Sequence, residues 1–380
     1  MTTSRRTWIK SALAASAGLP LSTLFIPTLE AMPVSKAEIR FWKTFPTAPL
    51  NIRLNANENP YGPSPKARTA VNNILNEGNR YPFTGLNEIK NFLAEKEGVT
   101  PDHIMLSPGS SEALSVAGLY ASLEGGSVMS ADPTFTELMN YAQVFNARWD
   151  KINVNDKLEL DYGRMLSAIK DDTRLIFIVN PNNPTGTLVD FKIVRDFCLE
   201  ASKKAIVFSD EAYLEFLDPK QQSSMVDLVR KGENVIVCRT FSKIYGLAGL
   251  RMGYLVAKPD IIKNLVPYQM GFPVSQTAIA AAMASYGDTD FMNLSRNKNN
   301  EARKHLETFL DKKGYFYGKS HTNFMFFECK TDGQNLLKKM TEKGIGMRIW
   351  DYKDQEWCRV SIGTLDEMKA FTKAWDEIVS

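Results

Sequence analysis

The stretch TFSKIYGLAGLRMGY at residues 240–254 lies one residue after the apolar run NVIVC at 234–238. The apolar run predicts a strand, so Lys243 should emerge at a strand end, where open α/β sheets bind their ligands. Thr240 and Ser242 offer hydroxyl donors, and Arg251 offers a planar fork that suits phosphate oxygens. The segment therefore predicts a phosphate-binding turn beside a nucleophilic amine, with an ordinary solvated loop as the alternative.

Two further strand-like runs end in polar side chains. IVFSDEAYLEF at 206–216 runs into Asp210 and Tyr213, and TRLIFIVNPNNPTG at 173–186 ends in a turn that carries Asn183. A carboxylate at a strand end can pair with a cationic ring nitrogen, although a turn acid is the more common explanation. Asn, Pro, Thr and Gly all favour turns, so NNPTG alone indicates only a turn.

In their order along the chain, NPNNPTG, SDEAY and the SK…GLAGLRMGY run resemble the fold-type I pyridoxal 5'-phosphate (PLP) aminotransferases. LNANENPYGPSP at 54–65, RYPF at 80–83 and RVSIGTLDEM at 359–368 resemble the histidinol-phosphate aminotransferase branch of that family. The resemblance spans residues 50–378 and implies an α/β fold, with a mostly parallel sheet in a large domain and a smaller α+β C-terminal domain.

The resemblance implies a role for each matching residue. Lys243 matches the lysine that binds the cofactor aldehyde covalently, and Asp210 matches the partner of the pyridine nitrogen. The remaining matches are Asn183 and Tyr213 at the ring hydroxyl, Phe135 on the ring face, and Ser110, Ser111, Thr240, Ser242 and Arg251 at the phosphate. Ser110 and Ser111 would lie at a helix start, which is a ready anion site.

Three more residues match positions at the substrate and at the partner subunit. Arg359 matches the arginine that binds the α-carboxylate of the substrate, and Arg348 matches a second arginine directed toward a side-chain phosphate. Tyr81 matches a tyrosine that reaches the cofactor phosphate of the other subunit, which implies a homodimer with shared active sites. A surface position for Arg348, a helix cap for Tyr81 and a core position for Phe135 are the alternatives.

The chain departs from the branch ahead of the NENP motif. Relatives that use histidinol phosphate carry a Pro-Tyr-x-Pro-Gly element there, whereas this chain reads FWKTFPTAPLNIRL. Phe41, Trp42 and Phe45 could border an apolar side chain or pack into the core. The resemblance implies transfer of an amino group from an L-amino acid or amino-phosphate, histidinol phosphate-like or aromatic, to a 2-oxo acid. A decarboxylase acting on an amino-acid phosphate and a non-catalytic PLP-binding regulator are the alternatives.

The N-terminus predicts export. SRRTWIK matches the twin-arginine pattern, and the weakly apolar stretch from Ser11 to Leu29 is too rich in Ala, Ser and Pro for a membrane span. We therefore expect residues 1–31 to be a signal peptide for a periplasmic protein without stable membrane anchoring. An ordinary basic N-terminus of a cytoplasmic protein is the alternative.

Composition limits the possible partners. The chain has 380 residues and a formal charge of +3, which becomes +1 once 1–31 is removed with Arg5, Arg6, Lys10 and Glu30. No basic block stands out, so nucleic acid is not expected as a partner. Four cysteines without Cys-x-x-Cys spacing or a His cluster predict no metal site. Buried free thiols are expected, although Cys329 and Cys358 could pair in an oxidising compartment.

Hydrophobic periodicity predicts the domain organisation. Strand-like and helix-like segments alternate over 61–272, with strands near 104–107, 127–131, 174–180, 205–209, 234–239 and 253–257, as in an α/β domain. From 273 to 380 we expect a smaller domain that contains a long amphipathic helix, SRNKNNEARKHLETFLDKKG, and the strands FMFFE and RVSIG. Residues 38–60 would form an arm that crosses to the partner.

Overall fold

The computed structural model describes residues 50–379. The signal peptide predicted at 1–31, most of the arm predicted at 38–60, and Phe41, Trp42 and Phe45 lie outside the described residues. The strands are β1 Ile52–Arg53, β2 Ile104–Ser107, β3 Ser127–Asp132, β4 Arg148–Asn153, β5 Thr173–Val179, β6 Ile206–Asp210, β7 Val235–Thr240, β8 Gly253–Val256, β9 Phe324–Glu328, β10 Ile345–Gly346, β11 Arg348–Tyr352 and β12 Gln355–Ser361. The α-helices are α1 Pro65–Ile74, α2 Phe83–Glu97, α3 Ser110–Ser122, α4 Glu137–Val144, α5 Tyr162–Ser167, α6 Phe191–Ala201, α7 Val226–Arg230, α8 Pro259–Leu265, α9 Gln276–Ser285, α10 Thr289–Lys313, α11 Gly333–Glu342 and α12 Leu365–Val379.

A seven-stranded sheet with the order β2-β8-β7-β6-β5-β3-β4 forms the centre of the larger part of the molecule. Five neighbouring strands, β7, β6, β5, β3 and β4, run parallel, and β8 runs antiparallel to both of its neighbours. The mostly parallel sheet with helical connections confirms the predicted α/β fold class. Its strands β5, β6 and β7 carry Asn183, Asp210 and Lys243 at or just beyond their carboxyl ends.

The central strands are apolar on both faces because helices cover both sides of the sheet. In β6, Val207 packs into one core cluster and Phe208 into the other, and both side chains are fully buried. Continuous apolar runs of this kind are typical of parallel strands covered on both sides. The predicted strands in 104–257 are confirmed to within one or two residues. β4 was not predicted, because this edge strand is largely solvent-exposed and reads RWDKIN.

A second, three-stranded antiparallel sheet has the order β11-β12-β9 and packs against α10, α11 and α12. The long helix expected in the polar stretch is α10, which ends at Gly314 in the left-handed conformation with φ 67°. The strands expected in FMFFE and RVSIG are β9 and part of β12. The boundary between 272 and 273 stays a prediction.

Two short contacts connect the segment after residue 50 to β10 and β12. β1 pairs in parallel with β10, and the main-chain N–H of Ser361 donates to the carbonyl of Leu54 at 2.8 Å. The segment 54–59 is thereby held between the end of β12 and the loops that follow β6 and β7.

Within residues 50–379, no helix is long and apolar enough to cross a bilayer. The same residues contain no cluster of three or more acidic, His or Cys side chains that could hold a metal ion.

Candidate active site

A cavity of about 300 Å³ lies beyond the carboxyl ends of β5, β6 and β7. Nine of the thirteen site residues predicted from the sequence line it: Ser110, Ser111, Phe135, Asn183, Asp210, Tyr213, Ser242, Lys243 and Arg251. Residues as far apart in the sequence as Ser110 and Arg251 therefore meet at one place. Thr240, Arg348, Arg359 and Tyr81 do not line the cavity of this chain, although the first three contact residues near it.

Lys243 lies three residues beyond the end of β7, with its Nζ 5.6 Å from the centroid of the Tyr213 ring. Burial and, to a smaller extent, the neighbouring Arg359 cation lower the pKa of this amine to about 8, while Asp210 opposes the change. An amine with such a pKa is partly uncharged near neutral pH and can therefore act as a nucleophile or a base.

Asp210 is the last residue of β6 and is 4% exposed. Its Oδ1 accepts a hydrogen bond from the main-chain N–H of Ala212 at 3.0 Å, and burial raises the pKa of the carboxyl to about 6. Among the described residues, no side chain forms an ion pair with it. Since buried carboxylates are normally paired, this side chain fits a cationic N–H donor placed in the cavity.

The other end of the cavity is built for an anion. Helix α3 begins at Ser110, and its N-cap Gly109 provides no side-chain bond to the first helical N–H groups. Gly109 has φ 74°, and a Cβ at this position would lie 2.5 Å from Nη2 of Arg251. Only glycine therefore lets the guanidinium lie against the helix start. Free N–H groups, the helix dipole and a guanidinium together suit a phosphate.

Hydrogen bonds hold the residues around this helix start in place. Arg251 donates to the main-chain carbonyls of Pro108 at 2.9 Å and Ala248 at 3.1 Å. Its guanidinium also lies 3.5 Å from Oγ of both Ser111 and Ser242. Thr240 lies beneath the cavity, where its Oγ1 accepts from the main-chain N–H of Ser242 at 3.1 Å. Thr240 thus shapes the turn that presents Ser242.

Arg359, in β12, is 4% exposed and lies behind Asn183. Its Nη1 donates to Oδ1 of Asn183 at 2.9 Å and its Nη2 to the carbonyl of Asn55 at 3.0 Å. Its Nε is buried without a hydrogen-bond partner. Burial and the nearby Arg348 cation lower the pKa of Arg359 to about 9, so an anion at this position would relieve the repulsion between the two cations.

Arg348 stands directly opposite Arg359 in the β11–β12 register. Its Nε donates to the same carbonyl of Asn55 at 2.6 Å, and burial lowers its pKa. Arg348 is half-buried on the edge strand β11 beside Arg359, and its role at the donor stays a prediction.

Sequence reasoning assigned no role to individual residues of the NANENP segment. In the structure, Nδ2 of Asn57 donates to the hydroxyl of Tyr213 at 3.0 Å, and Ser361 bonds both the main chain and the side chain of Asn57. Asn57 adopts φ 54°, a conformation that asparagine tolerates better than most residues. Glu58 lines the cavity and accepts from Arg53 at 2.6 Å. The match of the NENP motif to the family branch was the sequence signal that could have indicated these two positions.

Tyr81 lies away from the cavity of its own chain and is 68% exposed. Its ring packs against Phe272 with a centroid distance of 4.7 Å and against Phe83 at 6.2 Å.

The four cysteines are free thiols, and Cys329 is the half-buried one.

The sheet topology, together with a lysine, a buried acid and a helix N-terminus around one cavity, defines a PLP-binding protein of fold type I. Residues 51–374 match the family described as aminotransferase class I and II. The chain therefore belongs to the class I and II aminotransferases, and it is a PLP-dependent aminotransferase.

Named relatives support this assignment. The chain is 35% identical over 331 residues to the histidinol-phosphate aminotransferase of Moorella thermoacetica, covering 87% of this chain and 86% of that protein. It is 36% identical over 327 residues to histidinol-phosphate aminotransferase 1 of Cupriavidus pinatubonensis, with coverage of 85% and 87%. The crystal structure of histidinol-phosphate aminotransferase from Sinorhizobium meliloti in complex with pyridoxal 5'-phosphate has the same fold, with a TM-score of 0.82 at 24% identity and coverage of 94% and 98%.

Proposed function

We propose that the enzyme accepts donors that carry an anionic group beside the amino-bearing carbon, with a 2-oxo acid as the amino acceptor. The pair of arginines on β11 and β12 carries this proposal. Arg359 and Arg348 lie opposite each other, and both donate to the carbonyl of Asn55. Two guanidinium groups side by side suit a carboxylate or a phosphate ester.

Two kinds of donor fit this arrangement: L-amino acids, including aromatic ones, and amino-phosphates of the histidinol-phosphate type. In an L-amino acid the anion is the α-carboxylate, whereas in histidinol phosphate a phosphate ester takes its place on the neighbouring carbon. Arg348 beside Arg359 offers the second positive charge that a phosphate dianion favours. The Trp350 ring, 5.9 Å from Cζ of Arg359, offers apolar surface for an aromatic side chain.

The residues around the cavity would divide the chemistry between them. PLP, when bound, supplies an aldehyde for the amino group and a pyridinium ring that takes up electrons. Nζ of Lys243 would move the proton at Cα of the donor, and the Asp210 carboxylate would keep the ring nitrogen protonated. Asn183 and Tyr213 would donate to the ring hydroxyl, and Phe135 would lie on the ring face.

The phosphate of the cofactor would be bound at the start of α3. Main-chain N–H groups there, with the hydroxyls of Ser110, Ser111 and Ser242, would donate to its oxygens, and Arg251 would balance its charge. Thr240 would act by holding the turn of Ser242.

A screen of amino donors against 2-oxoglutarate tests the proposal by following glutamate formation. We expect turnover with histidinol phosphate and with phenylalanine or tyrosine, and none with amines that lack an adjacent anion. Carbon dioxide release without consumption of 2-oxoglutarate would identify a decarboxylase instead. A PLP-loaded protein that converts no donor would identify a regulatory relative.

We also propose that the enzyme is a homodimer in which Tyr81 completes the active site of the partner. Tyr81, Phe83 and Phe272 form an exposed aromatic cluster, and Met270, two residues from Phe272, is 60% exposed. Adjacent exposed apolar side chains of this size are typical of protein interfaces. Residues 38–49 of the arm at 38–60 would extend this contact, whereas the residues that follow bond to β10 and β12 of their own chain. The large and small domains would divide near residue 272.

We propose further that residues 1–31 direct export to the periplasm through the paired Arg5 and Arg6. These residues lie outside the described part of the chain, so the sequence pattern alone supports this proposal. A fusion that carries residues 1–40 should reach the periplasm folded, and replacing both arginines with lysine should retain it in the cytoplasm. Equal periplasmic yields from the two fusions would contradict export.

A further inference from the structure

A second cavity, of about 350 Å³, lies between the loop that follows β6 and one face of α10. Its wall consists of residues 216–219, Gln221, the α10 face and His321, and it shares no lining residue with the active-site cavity. Its volume is in the range of small-molecule binding sites, which begins at about 300 Å³. The transamination chemistry proposed above uses none of its residues.

The α10 face of this second cavity is polar throughout. It contributes Asn293, Arg296, Asn297, Asn300 and Arg303. Spacings of three and four residues place these side chains on one side of a helix. Most of them come from the polar stretch that the sequence singled out as an amphipathic helix. A row of amides and guanidinium groups facing a cavity is a set of hydrogen-bond donors.

The two arginines form the floor of the cavity, and most of their partners are uncharged. Arg296, 8% exposed, donates from Nε and Nη2 to the carbonyl of Glu215 at 3.2 and 2.9 Å. Arg303 donates from Nη1 to the carbonyl of Thr322 at 3.2 Å. A guanidinium has five N–H groups, so both retain donors for a ligand. Main-chain carbonyls do not neutralise their charge.

Two carboxylates lie near the two arginines of the cavity. Asp218 lies on the exposed rim, and Glu307, outside the cavity, is 3.4 Å from Nε of Arg303. Burial, together with the cations Arg303 and Lys319, lowers the pKa of His321 to about 4, so the imidazole is neutral at physiological pH. Arg296, Arg303 and Asp218 give the lining itself one net positive charge, and the Glu307 carboxylate next to Arg303 offsets it. Within residues 50–379, Arg296 has no carboxylate partner, and the imidazole beside the two arginines is neutral.

We propose that this second cavity binds a small polar ligand that carries an oxyanion, either a phosphate or a carboxylate. Arg296 and Arg303 would donate charge-assisted hydrogen bonds to the oxyanion. Asn297 and Asn300, on the exposed side, would bond the uncharged polar groups of the same ligand.

The three histidines of the chain provide a local readout of binding. His321 lines the cavity, whereas His103 and His305 do not. The holoenzyme, labelled with ¹³C at the histidine ring, would be titrated with inorganic phosphate at constant pH and ionic strength, with chloride as control. The signal of His321, identified by its absence in His321→Gln, should shift to saturation while the other two stay in place. A parallel titration with acetate distinguishes a phosphate site from a carboxylate site.

Matched variants test whether the cavity itself causes the shift. Arg303→Gln should weaken the apparent affinity about tenfold or more through loss of one charge-assisted hydrogen bond. Lys304→Gln is the control, because Lys304 is the next residue, is exposed and also lies near Glu307. Asn297→Asp, at an exposed position, adds a carboxylate to the rim and should weaken binding similarly even if Arg303→Gln fails to fold.

A His321 shift that does not saturate with either anion would contradict the site. Equal affinities in wild type, Arg303→Gln and Asn297→Asp would contradict it as well. The readout is independent of transamination, so failure of the proposed donor specificity would leave this test intact.

Discussion

Arg359 donates a hydrogen bond of 2.9 Å from Nη1 to Oδ1 of Asn183. The bond fixes the orientation of the amide, because it engages the oxygen and leaves the Nδ2 hydrogens as donors for a ligand in the cavity. It therefore joins the residue proposed to bind the anion of the donor to a residue proposed to bind the cofactor ring.

Asn183→Asp should raise the KM of every anionic donor by about tenfold or more. The new carboxylate would form an ion pair with Arg359 and compete with the donor for the guanidinium, a charged hydrogen bond being worth about 1.5–3 kcal/mol. Asn183→Ala is the control, since it removes the amide without adding a charge and should mainly lower kcat. Equal KM values for the two variants in steady-state kinetics would contradict the coupling.

Asp210→Asn should lower kcat by about 10²–10³, because it removes the preorganised anion that holds the ring proton. Steady-state turnover at saturating donor measures this effect. Near wild-type turnover in this variant would contradict the role proposed for Asp210.

The same substitution should stabilise the cofactor-free protein at neutral pH. Burial raises the pKa of Asp210 to about 6 in the folded state, so ionising it above that pH opposes folding. Asp210→Asn avoids this loss, worth about 3 kcal/mol, and its advantage should shrink as pH falls from about 6 toward 4. Urea unfolding at several pH values measures the difference. A stability advantage that does not change with pH would show that ionisation of the buried carboxyl is not its cause.

Arg359→Ala and Arg348→Ala should differ in their specificity. Truncating Arg359 should lower kcat/KM for all donors, by about tenfold to a hundredfold for the loss of 1.5–3 kcal/mol. Truncating Arg348 should lower kcat/KM for phosphate-bearing donors and leave kcat/KM for aromatic amino acids unchanged. Arg348→Lys, which keeps the charge without the planar fork, should restore part of the loss. Kinetics with histidinol phosphate and phenylalanine, each as sole donor, separate these outcomes.

The position of Tyr81 predicts complementation between two impaired subunits. If Tyr81 acts across a dimer interface, a heterodimer of Tyr81→Ala and Lys243→Ala subunits contains one intact site and one doubly altered site. The mixed dimer should then recover about half of wild-type activity, measured after co-expression with two affinity tags. Activity no higher than that of the Tyr81→Ala homodimer would place Tyr81 in its own subunit.

The sequence predicted the site residues that directly follow recognisable strands. Lys243, Asp210 and Asn183 each follow an apolar strand, and strand ends of a parallel sheet meet at one edge. Their convergence on one cavity therefore follows from local patterns together with the fold class.

The contacts that the sequence did not predict depend on long-range pairing. Asn57 reaches Tyr213 and Ser361, 156 and 304 residues away, because β1 pairs with β10 and Leu54 bonds to Ser361 at the end of β12. The burial of Arg359 and Arg348 likewise depends on the β11–β12 register. No local pattern encodes these partners, so motif spacing alone could not reveal them.

The covalent attachment point of the cofactor tests the central claim most directly. PLP-loaded enzyme would be reduced with borohydride, digested and analysed by mass spectrometry, with Lys243→Ala as the matched control. We predict a pyridoxyl group on the peptide that contains Lys243 and no label in the variant. Reduction should also remove the absorption band of the lysine-bound cofactor. A label on another lysine, or a reduced enzyme that keeps full turnover, would contradict the account.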